Sequence, residues 1–274
     1  MSLFQMFQYG FIQRATVAGS LIAVLCAILG VFLVLRRLSL IGDGLAHVTF
    51  GSVALALFAN VPPLVVTLAA LPLVMLASLG ILKLMERAKI FGDAAVGIVA
   101  SLGIAVGVLM TGLSGGFSVD LFSYLFGNIL SVSREEVIIA AVLFLLIITA
   151  ISLYYYELLA VTFDEELAQT SGINTKRINT LLVLLTSLIV VLAMKVAGIM
   201  LVSALIVLPA VTALQIATGF RTALILAAAC ALLSVVGGII ASFGLNIPAG
   251  ATIIILNFGL FLLAFLGRRV VPRR

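Results

Sequence analysis

The sequence predicts an all-α, polytopic membrane protein of about nine (eight to nine) transmembrane helices, and three observations carry that prediction. The 274-residue chain is 64% hydrophobic and only 9% charged, with a mean hydropathy of +1.40, whereas a soluble domain is about half apolar. Its apolar residues fall in runs of about twenty, the length an α-helix needs to cross a hydrocarbon core. Its basic residues sit in small clusters between those runs, at Arg36/Arg37, Lys83/Arg87/Lys89, Lys176/Arg177, Arg221 and Arg268/Arg269/Arg273/Arg274, as topology signals do. The net charge of +5 therefore reports membrane orientation and not nucleic-acid binding.

Runs bounded by charged or turn-forming residues place the spans near 15–35, 41–59, 63–82, 94–113, 136–155, 179–195, 198–217, 222–243 and 249–267. Ahead of the first, Met1 to Gly10 has neither the basic stretch nor the small-residue cleavage site of a signal peptide, so this span is expected to act as its own insertion signal. All the basic clusters share one side if the N-terminus is outside and the C-terminus cytoplasmic. Arg134 and Lys195 fall on the other side, the former offset by Glu135 and Glu136. Between the fourth and fifth spans, Ser114 to Leu130 is too short and too glycine-broken for a crossing and reads as a re-entrant or interfacial helix. Pro209 removes a backbone hydrogen bond from the seventh span and is expected to kink it. The pairs Gly97/Ser101, Gly103/Gly107 and Gly238/Ser242 read as close helix packing. Cys26 and Cys230 lie within apolar runs and read as packed small hydrophobes. No composition break divides the chain, so residues 1–274 are expected to form a single transmembrane domain.

The longest polar stretch between spans runs from Glu157 to Asn174. Within it, Phe163, Asp164, Glu165, Glu166, Leu167 and Ala168, through to Gly172, read as a short amphipathic helix over 163–172. Asp164 and Glu165 suit its N-terminus through the helix dipole, and Gly172 suits its C-terminal cap. Such a helix facing the cytoplasm is a docking knob for a partner, although an ordinary solvated loop fits the same pattern.

The second span holds the chemistry. Asp43 and His47 are four residues apart, and His47 is the only histidine, so both side chains share one helix face and could converge on one ion. An ionisable group in a membrane span points to function. The competing reading is a buried pair that only holds helices together. Two ligands are too few for zinc, which takes four, so one chain offers half a site. Two copies across a two-fold axis would offer two carboxylates and two imidazoles, a set suited to zinc or manganese more than to magnesium or calcium. Asn60, Ser203, Thr212 and Asn257 read as packing hydrogen bonds. No Gly-x-x-x-x-Gly-Lys-Ser/Thr phosphate loop is present, so any ATP-driven work needs another subunit. A single histidine also rules out the His-Glu-x-x-His zinc-protease motif.

Three stretches, taken in order, resemble the membrane permeases of zinc/manganese ABC importers: Arg36-Arg-Leu-Ser-Leu-Ile-Gly-Asp-Gly-Leu-Ala-His, Phe163-Asp-Glu-Glu-Leu-Ala-Gln-Thr-Ser-Gly and Val196-Ala-Gly-Ile-Met-Leu-Val-Ser-Ala-Leu-Ile-Val-Leu-Pro-Ala. The resemblance runs over nearly the whole chain. It implies a vitamin B12 permease-like (type II importer) fold and a homodimer in a bacterial plasma membrane. It further implies cytoplasmic ABC ATPase subunits that hold the ATP, an extracytoplasmic metal-binding protein, and transported Zn2+ or Mn2+ with no permanently bound cofactor. Asp43 and His47 fall on the family's metal-pathway pair, and 163–172 on its ATPase-coupling helix. The segment Val48-Thr-Phe-Gly-Ser lacks the Pro-Gly of manganese members and looks more like the zinc branch. Two rivals stand beside this reading: a proton-coupled secondary metal carrier, in which Asp43 and His47 relay protons, and a scaffold subunit without transport of its own.

Overall fold

The computed structural model describes residues 9–116, 121, 124, 125, 127, 132–199 and 202–270. Its helices are α1 (Gly10–Leu35), α2 (Ile41–Phe58), α3 (Pro63–Arg87), α4 (Gly92–Leu113), α5 (Arg134–Leu153), α6 (Tyr155–Phe163), α7 (Glu165–Thr170), α8 (Thr175–Ala197), α9 (Val202–Ile216), α10 (Phe220–Leu245) and α11 (Ala249–Val270). Among the described residues there is no strand. Eight of these helices are long and apolar enough to cross a membrane. The ninth apolar helix, α9, has 15 residues, about 22 Å of rise. The expected re-entrant helix at 114–130 falls largely outside the described residues, as do Arg273 and Arg274.

Helix ends follow from local chemistry. After α1 the chain reverses through Arg37, held at φ 57, while Arg36 N–H donates to the Phe32 carbonyl (3.1 Å) and Leu38 N–H to that of Leu33 (2.8 Å). Left-handed residues close α2, α3 and α10 in the same way, at Asn60, Lys89 and Asn246. At the start of α5, Ser133 and Glu136 form a capping box: Glu136 N–H donates to Ser133 Oγ (3.2 Å) and Ser133 N–H to Glu136 Oε2 (3.0 Å). Pro209 is buried within α9, whereas Pro72 within α3 is exposed, and both helices run on through them.

The bundle is organised around α1, which packs on α5, α8, α9 and α10. Beside it, α2 is enclosed by α3, α4, α8 and α9. Large apolar side chains on the outer helices stay uncovered, among them Leu102 and Leu109 on α4, Leu145 on α5 and Leu263 on α11. In a bilayer such surface faces lipid or another chain. Gly103 and Gly107 do form a close seam, where α4 meets α2. Gly238 does so as well, against Ile253 of α11. Gly97 differs: a Cβ there would find nothing within 4 Å, and Ser101 is exposed. That pair faces outward, and the sequence does not reveal it because a helix apolar all round does not mark which face is covered.

Candidate functional site

The Asp43 turn of α2 is built by the glycines beside it. A Cβ on Gly42 would come within 2.9 Å of Ile206 Cδ1 of α9, and one on Gly44 would collide with the Val96 side chain of α4. Gly-Asp-Gly thus lets the first turn of α2 wedge between two helices, with the aspartate as its polar group. A carboxylate there also meets the positive end of the helix dipole. His47 follows one turn later, about 9 Å into the helix by its rise per residue.

Asp43 Oδ2 and His47 Nε2 are 3.5 Å apart, with 50% of the aspartate and 25% of the histidine side chain exposed. At that separation the two groups are neighbours without forming a tight hydrogen bond. Most of the remaining α2 residues are buried. The hydroxyls of Thr49 and Ser52 donate to the carbonyls of Leu45 (2.7 Å) and Val48 (2.9 Å) within the helix, so they add no ligand. Among the described residues no third histidine, cysteine, aspartate or glutamate completes a metal cluster. The two sequence-selected residues come together, then, as an open two-donor pair.

Of the other polar candidates, Thr212 and Asn257 sit in helix hydrogen bonds, and Asn60 is an exposed helix end. Thr212 donates to the Leu208 carbonyl of its own helix (2.7 Å), and Asn60 ends α2. Ser234 Oγ on α10 lies 2.8 Å from both the Cys230 carbonyl and Asn257 Oδ1 of α11, while Asn257 Nδ2 is buried without a partner. One hydroxyl hydrogen cannot serve two acceptors. Turning the Asn257 amide over lets Nδ2 donate to Ser234 Oγ and Ser234 donate to the Cys230 carbonyl, which resolves the conflict at the hydroxyl.

The helix expected over 163–172 is the six-residue α7. Asp164 is its N-cap, with Oδ1 accepting from Leu167 N–H at 2.9 Å, and Gly172 takes a left-handed φ of 88. Gly172 N–H donates to the Gln169 carbonyl (3.1 Å) and Ile173 N–H to that of Ala168 (3.0 Å), closing the helix. Phe163 is not part of α7. It ends α6, a helix the polar reading of this stretch did not anticipate, and packs edge-on against Phe220 of α10 with ring centroids 5.9 Å apart. Ala168 is buried, whereas Leu167 is 63% exposed, an apolar tip on a polar helix. Glu165 is tied inward by Arg36 (3.0 Å) and Asn179 (2.7 Å). Neither tie has a signal in the sequence, where Arg36 reads only as a topology marker.

A bundle with eight helices long and apolar enough to cross a membrane, carrying an open ionisable pair, is that of a multi-pass membrane protein. The chain belongs to the ABC 3 transport family, whose sequence model matches residues 8–268. It is 34% identical to the manganese transport system membrane protein MntC of Halalkalibacterium halodurans, over 95% of this chain and 88% of that protein. It is 31% identical to the high-affinity zinc uptake system membrane protein ZnuB of Haemophilus influenzae, over 93% of this chain and 96% of that protein. Among solved structures, a chain of PsaBC from Streptococcus pneumoniae in complex with Fab superposes with a TM-score of 0.84 at 29% identity, over 95% of this chain and 92% of that one. An inward-facing metal-chelate type ABC transporter, 16% identical, shares the fold with a TM-score of 0.71 over 94% of this chain and 85% of that one. The type II importer fold expected from the sequence is therefore the fold observed. Family membership also removes the ground for the proton-coupled carrier.

Proposed function

We propose that this chain is the transmembrane subunit of an ATP-driven importer of a divalent transition metal, zinc in preference to manganese, and that the ion passes Asp43 and His47. The observation that carries this reading is the open pair itself, a carboxylate and an imidazole 3.5 Å apart at the start of a buried helix. Two donors cannot strip and hold a zinc ion, but the same pair from a second copy would supply four. The ion's path then lies along the interface of a homodimer, where helix movement assembles the site and takes it apart. Cargo held this way is released when the copies shift, as a transport cycle requires.

Relatives are named for manganese and for zinc, so the preference rests on this chain's own residues. Imidazole with carboxylate suits either ion, and the Val48-Thr-Phe-Gly-Ser segment after His47 lacks the proline expected of the manganese branch. ATP is hydrolysed on separate cytoplasmic ABC subunits that receive α7, with Leu167 as the apolar tip. Metal arrives from an extracytoplasmic binding protein. The positive-inside pattern supports a topology with α7, Arg36 and the C-terminus on the cytoplasmic side of a bacterial plasma membrane.

The test is growth of a bacterium lacking its own high-affinity zinc uptake, carrying this chain with its ATPase and binding protein. Wild type restores growth at limiting zinc, and Asp43→Asn or His47→Gln does not, although each variant reaches the membrane in equal amount. Growth restored by both variants would remove the pair from the ion's path.

A further inference from the structure

We propose that Glu165 is an internal latch: its carboxylate ties the coupling helix to the turn leading into the metal-site helix, so that movement of α7 is delivered to Asp43 and His47. This rests on the proposed docking of α7 to an ATPase and assigns one of its residues a different task. Of the two acidic residues opening α7, Asp164 is spent within the helix, capping Leu167 N–H. Glu165 reaches out of it. Its Oε2 accepts from Arg36 Nη2 at 3.0 Å and its Oε1 from Asn179 Nδ2 at 2.7 Å. One carboxylate therefore joins three elements: α7, the end of α1 and the start of α8.

Arg36 is placed to transmit force. Its side chain is only 10% exposed, against 47% for Glu165, and burial holds its guanidinium below the usual arginine range while Glu165 opposes that shift. Loss of Glu165 would leave a buried charge without its partner, a costly state that the turn would relax to avoid. That turn is stiff. Arg36, Arg37 and Leu38 N–H groups donate back into α1, and Ile41 N–H donates to the Leu38 carbonyl (3.0 Å), so α1 passes into α2 with few free torsions. Asp43 lies in the first turn beyond. A half-open cleft of about 390 Å3, lined by Arg36, Leu38, Leu82, Glu165 and Asn179, adjoins the latch.

The experiment compares the complete transporter, permease with ATPase and binding protein in liposomes, for wild type, Glu165→Ala, Asn179→Ala and the exchange Arg36→Glu with Glu165→Arg. Zinc moved and ATP hydrolysed are measured on the same vesicles. Glu165→Ala is expected to keep the ATPase bound and hydrolysing while zinc per ATP falls about fivefold or more, the size of a typical coupling energy. Asn179→Ala, which leaves the charge pair in place, gives a smaller loss, and the exchange restores about half of the wild-type ratio or better, as reversal of one ion pair should. An unchanged ratio in Glu165→Ala, or an exchange no better than Glu165→Ala alone, overturns the latch. Loss of the ATPase from Glu165→Ala also overturns it, because the residue is then a docking contact. Leu167→Asp separates the two ideas: an ATPase that stays bound to it removes the docking reading and the latch with it. An ATPase lost from Leu167→Asp, with coupling normal in Glu165→Ala, removes the latch alone.

Discussion

Gly103 lies outside the metal pair, yet its replacement should disturb transport as strongly as it disturbs stability. A Cβ built there would sit 2.7 Å from Val48 Cα and 2.8 Å from both Val48 N and the His47 carbonyl oxygen. All three are backbone atoms, so no rotamer change relieves the contact. Moving from 2.7 Å to the 3.4 Å at which ordinary contact begins pushes α2 away from α4 by about 0.7 Å. Overpacking of this kind costs about 1–3 kcal/mol. The displaced atoms include the backbone of His47, and a ligand misplaced by that much should slow uptake on the order of tenfold. Gly103→Ala is therefore predicted to lower the denaturation midpoint of the purified permease and to depress zinc uptake. Gly97→Ala, on the same helix where a Cβ meets nothing, should leave the midpoint of the single chain unchanged. Thermal unfolding in detergent and vesicle uptake measure the two effects. If Gly103→Ala unfolds and transports as wild type does, the α2–α4 seam does not position His47 and this reasoning fails.

Three further outcomes are expected. Asp43→Asn and His47→Gln should purify as folded, dimeric, ATPase-bound protein with uptake down by at least the roughly 10- to 100-fold that loss of even a group behind a ligand causes; collapse of both variants in size-exclusion chromatography would instead favour the scaffold role. Asp164→Ala removes the N-cap of α7 and should cost about 1 kcal/mol locally, seen as faster amide exchange at Leu167, while Asp164→Asn keeps protection. Asn257→Leu breaks the α10–α11 hydrogen bond and should destabilise by only about 0.6 kcal/mol, the average for such bonds in a bilayer. Uptake by that variant should stay at the wild-type level; a loss of transport would give Asn257 a role in the path that packing does not explain.

The apolar spans were legible because a hydrocarbon core demands uninterrupted apolar length: each of the nine predicted spans overlaps an observed helix, and eight of those helices are long enough to cross. The Asp43/His47 pair was legible because charge within such a run is costly and a spacing of four is geometric. Asp164 and Gly172 were legible from capping chemistry, which is local. What stayed hidden is tertiary. A helix apolar on every side carries no mark of its covered face, so Gly103 and Gly97 look alike in sequence although only Gly103 is enclosed. Helix α6 was missed because Tyr154 and Glu157 interrupt the apolar pattern, while the backbone continues helically to Phe163. The role of Glu165 could not be read at all, since its partner Arg36 is 129 residues away along the chain. Ser133 and Glu136, by contrast, carried a readable Ser-x-x-Glu capping signal.

The central claim, that Asp43 and His47 lie on the path of an ATP-driven zinc importer, is tested most directly by uptake of radiolabelled zinc and manganese into liposomes holding the permease with its ATPase and binding protein. ATP-dependent zinc uptake that exceeds manganese uptake and is abolished by His47→Ala is the predicted result. Manganese uptake exceeding zinc would contradict the choice of ion, undiminished uptake in His47→Ala the choice of site, and uptake that follows a proton gradient without ATP the importer itself.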